Sequence, residues 1–444
     1  MTEQSITDAF MPLRRAGLDP LPELAAVRAA TPVTKLEFPF GISAWLVTGY
    51  QESRAVLGDH GSFSNDFANV TAVTGGMATA DQDPGGLGMA DPPKHTRLRK
   101  MLTPEFTMRR LRRLLPRIEQ IVNNLLDDME RAGHSGQPVD LVQAFAMPLP
   151  SLVICELLDV PYPDRDQFQR LSGSRFDIFG GAGTGLEAIS ESLSYMRELV
   201  DAQRKDPGDG LLGMLIRTYG DDITDEELAG LADGVLIGGH ETTASTLALG
   251  ALLLLTNPQY ADLVRRAGAK AGDAAVVADA VGADGATDAG SNAGDGASGV
   301  DSVTDDGATG EDAIHRVVEE LLRYLTVVQM AFPRFARTDV EVAGQHIKAG
   351  EMVLCSLSAA DRDPALAAGD LEAFDPRRAP TQHLAFGYGI HRCVGSELAR
   401  MELRLAYPML LRRFPNLRLA VPAADLTFRE YSIVYAVEEL PVTW

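Results

Sequence analysis

Cysteine is scarce in this chain, with three among 444 residues. An odd, small number makes no disulfide framework, so a reducing compartment is expected. Basic residues are also in deficit. Forty Lys and Arg face 62 Asp and Glu, a formal net charge of −22. That sign excludes the phosphate-neutralising surface of a nucleic-acid binder and disfavours anionic membrane surfaces. Long apolar runs are missing too. The longest, Leu247 to Leu255, falls far short of the roughly 18 residues a membrane-spanning helix needs. The opening MTEQSITDAF has neither the basic start nor the apolar stretch of a secretory leader. A cytoplasmic protein with no membrane and no nucleic-acid partner is expected.

What is present is mostly helical periodicity. Ile118 to Met129, Leu193 to Arg204 and Ala313 to Tyr324 repeat apolar residues at three- and four-residue spacing, as amphipathic helices do. Val33 to Phe38 and Ala44 to Val47 suggest a hairpin near the N-terminus, and residues 62–93, rich in Gly, Asn, Asp and Pro, suggest a long loop. Strands are expected at Asp339 to Val342 and Met352 to Leu357, a long helix from about Gly395 to Arg413, and sheet in the C-terminal tail. Residues 267–312 stand apart. From Ala271 to Asp312 they carry ten acidic residues, no Lys or Arg, and no aromatic. Such a composition buries too little apolar surface to offset its ordering entropy, and predicts a disordered surface insertion.

The chemistry concentrates in HLAFGYGIHRCVGSELARME, residues 383–402. Phe386, Gly387, Gly389, His391, Cys393 and Gly395 alternate in one window. No zinc-like partner flanks Cys393. Glycines let a loop turn tightly beside a flat ligand, and both loop N–H groups and the start of the following helix favour a thiolate.

This stretch resembles the cysteine-ligand loop of the cytochrome P450 family, the haem-thiolate monooxygenases, and the resemblance runs from about Leu21 to Trp444. It implies a mainly α fold with smaller β regions, one large domain over residues 1–444 around a buried haem b, and Cys393 as the iron ligand. Phe386, Gly387 and Gly395 then belong to the haem-binding loop. Thiolate ligation pushes electron density toward the iron and favours O–O cleavage.

Three more segments fit in order. LIGGHETTAS, residues 236–245, lies in an apolar helix where two glycines cost about 1 kcal/mol each. The resemblance places Gly238 and Gly239 at an oxygen-binding groove and makes Glu241 and Thr242 the acid–alcohol pair that feeds protons to dioxygen. Glu320 and Arg323 stand at i and i+3 on one helix face. The resemblance gives them a role in folding and haem incorporation with a further arginine, either Arg377 or Arg378. His95 and Arg99 lie at i and i+4 after Pro93, and with His391 and Arg334 they match the family's haem propionate contacts, a dicarboxylate being well served by such donors.

The reaction implied is insertion of one oxygen atom from dioxygen into a hydrophobic small molecule such as a polyketide, terpenoid, steroid or fatty acyl compound. Electrons are expected from NAD(P)H through a ferredoxin reductase and ferredoxin. The cluster Arg109, Arg110, Arg112, Arg113 and Arg117, with Lys100, is an expected docking patch for an acidic ferredoxin. The rival readings are a peroxygenase or reductase without a redox partner, and a non-catalytic haem sensor. Cys155 and Cys355 sit in apolar runs and are expected to be buried and inert. Asp361 stands where the family usually has Asn.

Overall fold

The computed structural model describes residues 10–37, 43–66, 68–70, 86–165, 182–271 and 310–444. Residues 272–309, the bulk of the acidic insertion, and 71–85, the middle of the glycine-rich loop, lie outside them.

Helices dominate, as expected. Those that build the site are α1 (Lys94–Leu102), α2 (Leu115–Ala132), α3 (Pro148–Leu158), α4 (Asp225–Thr256), α5 (Pro258–Ala271), α6 (Gly310–Leu325) and α7 (Ser396–Arg413). In α2 the stripe Ile118, Ile121, Val122, Leu125, Leu126 and Met129 is buried, so its 3.6-residue period is satisfied by packing. The 32-residue α4 starts on a capping box, in which the Thr224 hydroxyl accepts from the Glu227 N–H and the Glu227 carboxylate accepts from the Thr224 N–H. It has no polar face. Leu228, Leu236, Leu249 and Leu254 are fully buried, each adding about 1.5–3 kcal/mol relative to an exposed position. α4 thus runs through the core, packed by α3, α6 and α7.

A five-stranded sheet joins distant parts of the chain. Its strands β1 (Val33–Glu37), β2 (Ser43–Val47), β3 (Phe63–Ser64), β4 (Arg334–Ala336) and β5 (Met352–Cys355) are ordered β1-β2-β5-β4-β3. The expected hairpin is β1–β2, antiparallel from Val33 opposite Val47. The β2–β5 pairing is parallel, from Ala44 opposite Met352 to Val47 opposite Cys355. Local alternation carries no such information, because parallel partners are never joined by a tight turn.

Two expectations need correction. The strand from Met352 stops at Cys355, because Ser356 caps the helical turn Leu357–Ala360 through the Ala359 N–H. The C-terminal tail is not a continuous sheet. Only Pro441–Thr443 is a strand, and the rest makes isolated bridges, Val434 to Val328 and Phe428 to Val437. Its turn at Tyr431, with φ 58°, breaks the alternation. Among the described residues no single helix is long and apolar enough to cross a membrane.

Candidate active site

Cys393 ends the loop that leads into α7. Its N–H donates to the Phe386 carbonyl at 2.8 Å, which closes the turn through Gly387 and Gly389. Gly389 has φ +73°, and a Cβ there would lie 2.4 Å from the Leu57 carbonyl oxygen, so only glycine fits. The Gly395 N–H is directed at the Cys393 sulfur. Cys393 is solvent-accessible as a residue, but its sulfur is hemmed in by protein. That burial pushes the thiol up, against the Gly395 N–H and the cations Arg99, Arg400 and Arg392. The N–H at the start of α7 favours the ionised sulfur, as expected, but burial opposes it; a metal cation bound to the sulfur would favour the thiolate further.

The structure brings the four expected basic residues together. The His95 and His391 rings lie 4.3 Å apart between centroids. β4 carries Arg334 inward, 5% exposed, where its guanidinium donates to the Phe332 carbonyl at 2.9 Å and to Asn65 Oδ1. Arg99 is half-buried on α1. Burial, then Arg334, His95 and Arg99, drives His391 down to about 3, and burial with Arg99 lowers His95 also. Neither Arg99 nor Arg334 has an ion pair among the described residues, and His95 Nδ1 is buried without a partner. Asp91 is the nearby acid, but its carboxylate already accepts from Ser64, Asn65 and Arg337. Sequence reasoning missed Asn65 and Asp91, which lie in the loop between β3 and α1 and carry no spacing signal.

A bridge joins the loop of Cys393 to α4. The Leu87 backbone bonds to His391, and the neighbouring Gly86, with φ +69°, approaches so closely that a Cβ would be 2.6 Å from the Gly230 carbonyl oxygen. On α4, a Cβ at Gly234 or Gly238 would meet nothing within 4 Å. With Thr242 these repeat every fourth residue and form one open face. Gly234 was not singled out in the sequence, although the period places it there. Gly239 is different, since a Cβ would touch Ile154 Cδ1 of α3 at 3.0 Å; its smallness serves helix packing rather than the groove. The Thr242 hydroxyl donates to the Gly238 carbonyl at 2.7 Å. Glu241 is 2% exposed and pairs with Arg429, from the C-terminal segment. The expected acid–alcohol pair is thus adjacent in sequence but divergent in its bonds, and Arg429 was not foreseen.

On the α6 side, Arg323 is fully buried and makes two 2.8 Å bonds to Glu320. Of the two candidate third members, Arg378 reaches Glu320 at 3.3 Å, while Arg377 is exposed and pairs with Asp375. Arg323 also donates to the Asp361 and Leu371 carbonyls at 2.9 Å. The Asp361 carboxylate accepts from the Leu384 N–H at 2.6 Å and from the Thr326 hydroxyl at 2.9 Å, so it ties the end of α6 to the start of the cysteine loop. Burial pushes the thiols of Cys155 and Cys355 up to about 12, in keeping with inert core residues. A separate open cavity of about 680 Å³ lies between the helix Tyr50–Gly58 and residues 365–382. None of its lining residues lies on α4 or in the loop that ends at Cys393, which sets it apart from this site.

The arginine cluster is largely spent within the chain. Arg110 and Arg113 both pair with Glu105 at 3.0 Å, and Arg117 pairs with Glu156 at 2.9 Å. Glu105 is 1% exposed and precedes Phe106, which neighbours Gly395. Lys100, Arg109 and Arg392 remain exposed.

These residues fit the haem expected from the cysteine motif. Cys393 is solvent-accessible as a residue, and beside it Arg99 and Arg334 converge with two histidines whose charged forms burial and those cations disfavour, with no ion pair from either arginine to an acid among the described residues. That donor set suits the two carboxylates of a haem. The cytochrome P450 family model matches residues 40–180, 186–268 and 313–419. Cytochrome P450 165B3 of Amycolatopsis orientalis is 39% identical over 436 residues, covering 97% of this chain and 98% of its own length. The mycinamicin IV hydroxylase/epoxidase of Micromonospora griseorubida is 37% identical, covering 93% of this chain and 92% of its own. The crystal structure of OxyC, a cytochrome P450 implicated in an oxidative C–C coupling reaction during vancomycin biosynthesis, superposes with a TM-score of 0.78 at 36% identity, covering 97% of this chain and 96% of that one. Matches of this extent and identity leave one assignment: the chain belongs to the cytochrome P450 family, oxidoreductases with a haem iron as cofactor.

Proposed function

We propose that this monooxygenase inserts one oxygen atom from dioxygen into a hydrophobic small molecule, as hydroxylation or epoxidation, and releases the other as water. Two electrons and two protons accompany each turnover. Electrons come from NAD(P)H through a ferredoxin reductase and a ferredoxin in the cytoplasm, and residues 1–444 form one domain. A β-sheet that pairs residues 44–47 with 352–355 supports that unity.

The observation that carries the reading is the open face Gly234–Gly238–Thr242 on an otherwise buried helix, joined through Gly86 and Leu87 to the loop of Cys393. A bound haem iron supplies the oxygen chemistry. Cys393 would ligate it, and His95, Arg99, Arg334 and His391 would bind its carboxylates. Thr242 presents a hydroxyl on the open face, where it can hold and pass a proton, and Glu241 one residue away is the acid that can resupply it. Phe332 is an apolar side chain half-exposed beside Gly88, and such a surface suits an apolar substrate such as a polyketide, terpenoid, steroid or fatty acyl compound. A relative is named as a mycinamicin IV hydroxylase/epoxidase, and hydroxylation or epoxidation is the reaction type proposed.

The test is Cys393→Ser. The parent protein shows the red-shifted Soret band of a reduced thiolate–carbonyl complex, and the variant loses it. Persistence of that band in the variant sinks the ligand assignment.

A further inference from the structure

A second charged cluster lies beneath the cysteine loop, and the proposed mechanism makes no use of it. Glu319 directly precedes Glu320 on α6, yet it serves a different partner. Its carboxylate accepts from Arg400 Nε at 2.7 Å and Nη2 at 3.0 Å, with Arg404 at 3.8 Å. Arg400 also binds Glu397 at 2.8 Å. His383 Nδ1 accepts the Ala385 N–H at 3.3 Å, so the ring proton is on Nε2, which faces Glu319 at 3.3 Å. The side chains of Arg400, Glu319 and His383 are 10%, 13% and 3% exposed. Burial alone would raise the Glu319 acid, but His383 and Arg400 hold it well below the usual carboxylate range. A carboxylate and a guanidinium are therefore both charged in the interior.

The guanidinium carbon of Arg400 stands 4.6 Å from the centroid of the Phe386 ring. The Phe386 carbonyl is the acceptor of the Cys393 N–H. Arg400 is thus a buried cation one aromatic ring away from the loop that closes on Cys393, whereas Arg392 is exposed and Arg99 half-buried. A charge held away from water is screened least.

Resting on the assignment of Cys393 as haem ligand, we infer that Arg400 is a positioning residue whose buried charge, stacked on Phe386, stabilises the negative charge on the Cys393 sulfur, and that Glu319 sets how much of that charge the sulfur feels. Withdrawing electron density from a thiolate favours the reduced iron, since charge and polar contacts near the sulfur tune its potential. Arg400 then raises the reduction potential, and Glu319 lowers it.

The experiment is spectroelectrochemical titration of the haem-loaded protein and of its Arg400→Gln, Arg400→Lys and Glu319→Gln variants. Removing the cation shifts the potential negative, removing the carboxylate shifts it positive, and the lysine variant stays nearer the parent than the glutamine variant does. A purely structural clasp predicts shifts of one sign, because both substitutions break the same contact; shifts of one sign, or none, overturn the inference. Should Glu319→Gln fail to take up haem, the position-400 pair decides, and equal potentials for Gln and Lys overturn it. The reduced carbonyl spectrum of the parent separates the two levels. Without a thiolate band the ligand assignment itself fails, whereas a normal band with unopposed shifts removes only the role of Arg400.

Discussion

Arg429 holds Glu241, and in doing so draws the acid away from the hydroxyl beside it. Thr242 donates to the Gly238 carbonyl at 2.7 Å along its own helix, while the Glu241 carboxylate leaves that helix for a guanidinium 188 residues later in the chain. The Arg429 side chain is 29% exposed and that of Glu241 3%, so the pair spans the edge of the interior.

If Glu241 resupplies protons to Thr242, the ion pair governs when it does so. Arg429→Gln removes the cation, and a carboxylate without its partner takes up a proton more readily. The acid limb of the pH–rate profile should move to higher pH. Thr242→Ala should lower coupled product formation by on the order of a hundredfold while NAD(P)H consumption continues. Full coupling in that variant would remove Thr242 from the relay.

Asp361 offers a test on the other side of the site. Its carboxylate is fully buried, and burial pushes it above the ordinary range despite its bonds. Asn can keep the Leu384 N–H bond with its oxygen and turn its amide to Thr326, whose hydroxyl has the Arg323 carbonyl at 2.7 Å as another acceptor. Asp361→Asn should leave stability at neutral pH equal or higher. Asp361→Ala strands the Leu384 N–H and should cost about 1–3 kcal/mol, read as a lower urea midpoint together with faster haem loss.

Glu402, on α7, is buried with Oε2 lacking a partner, and burial pushes its acid well above the usual value. The folded state therefore keeps this proton at pH values where the unfolded chain has lost it. Stability from this position falls as pH rises above the ordinary carboxylate range, up to the folded value. Glu402→Met should stabilise by about 1–3 kcal/mol at neutral pH. The gain in urea midpoint should be larger at pH 9 than at pH 6, and an equal gain at both would refute the account.

For redox-partner docking, the arginine cluster divides into two sets. Lys100, Arg109 and Arg392 are exposed, so charge reversal at Arg109 or Arg392 should raise the apparent KM for ferredoxin severalfold and flatten its salt dependence. Arg113→Glu should instead lower stability, because Glu105 is buried and depends on Arg110 and Arg113. An unchanged KM in the Arg109 and Arg392 variants would exclude this face.

Much of the site was legible because its signals are local. The glycines around Cys393 mark positive φ and close backbone approach, both decided within a few residues. Glu320 and Arg323 meet because one helical turn brings i and i+3 together. The burial of α4 follows from a helix with no polar face. Contacts between remote segments left no such trace. Nothing in the spacing chose Arg378 over Arg377, assigned Gly239 to Ile154, or showed that Glu105 consumes two arginines of an apparently free patch.

By itself, the sequence determined the ligand loop, the helix that carries Thr242 and the family to which both belong, since each rests on residues a few positions apart whose backbone conformation or helical register is set locally. Tertiary structure alone decided which charges are spent and which are left. Arg429 pairs with Glu241, Arg400 pairs with Glu319, and His95, Arg99, Arg334 and His391 converge with no ion pair to Arg99 or Arg334 among the described residues. Ion pairing depends on distances of a few ångströms between side chains that here stand 188 and 81 residues apart, and only the packing of α4, α6, α7 and the mixed sheet sets those distances.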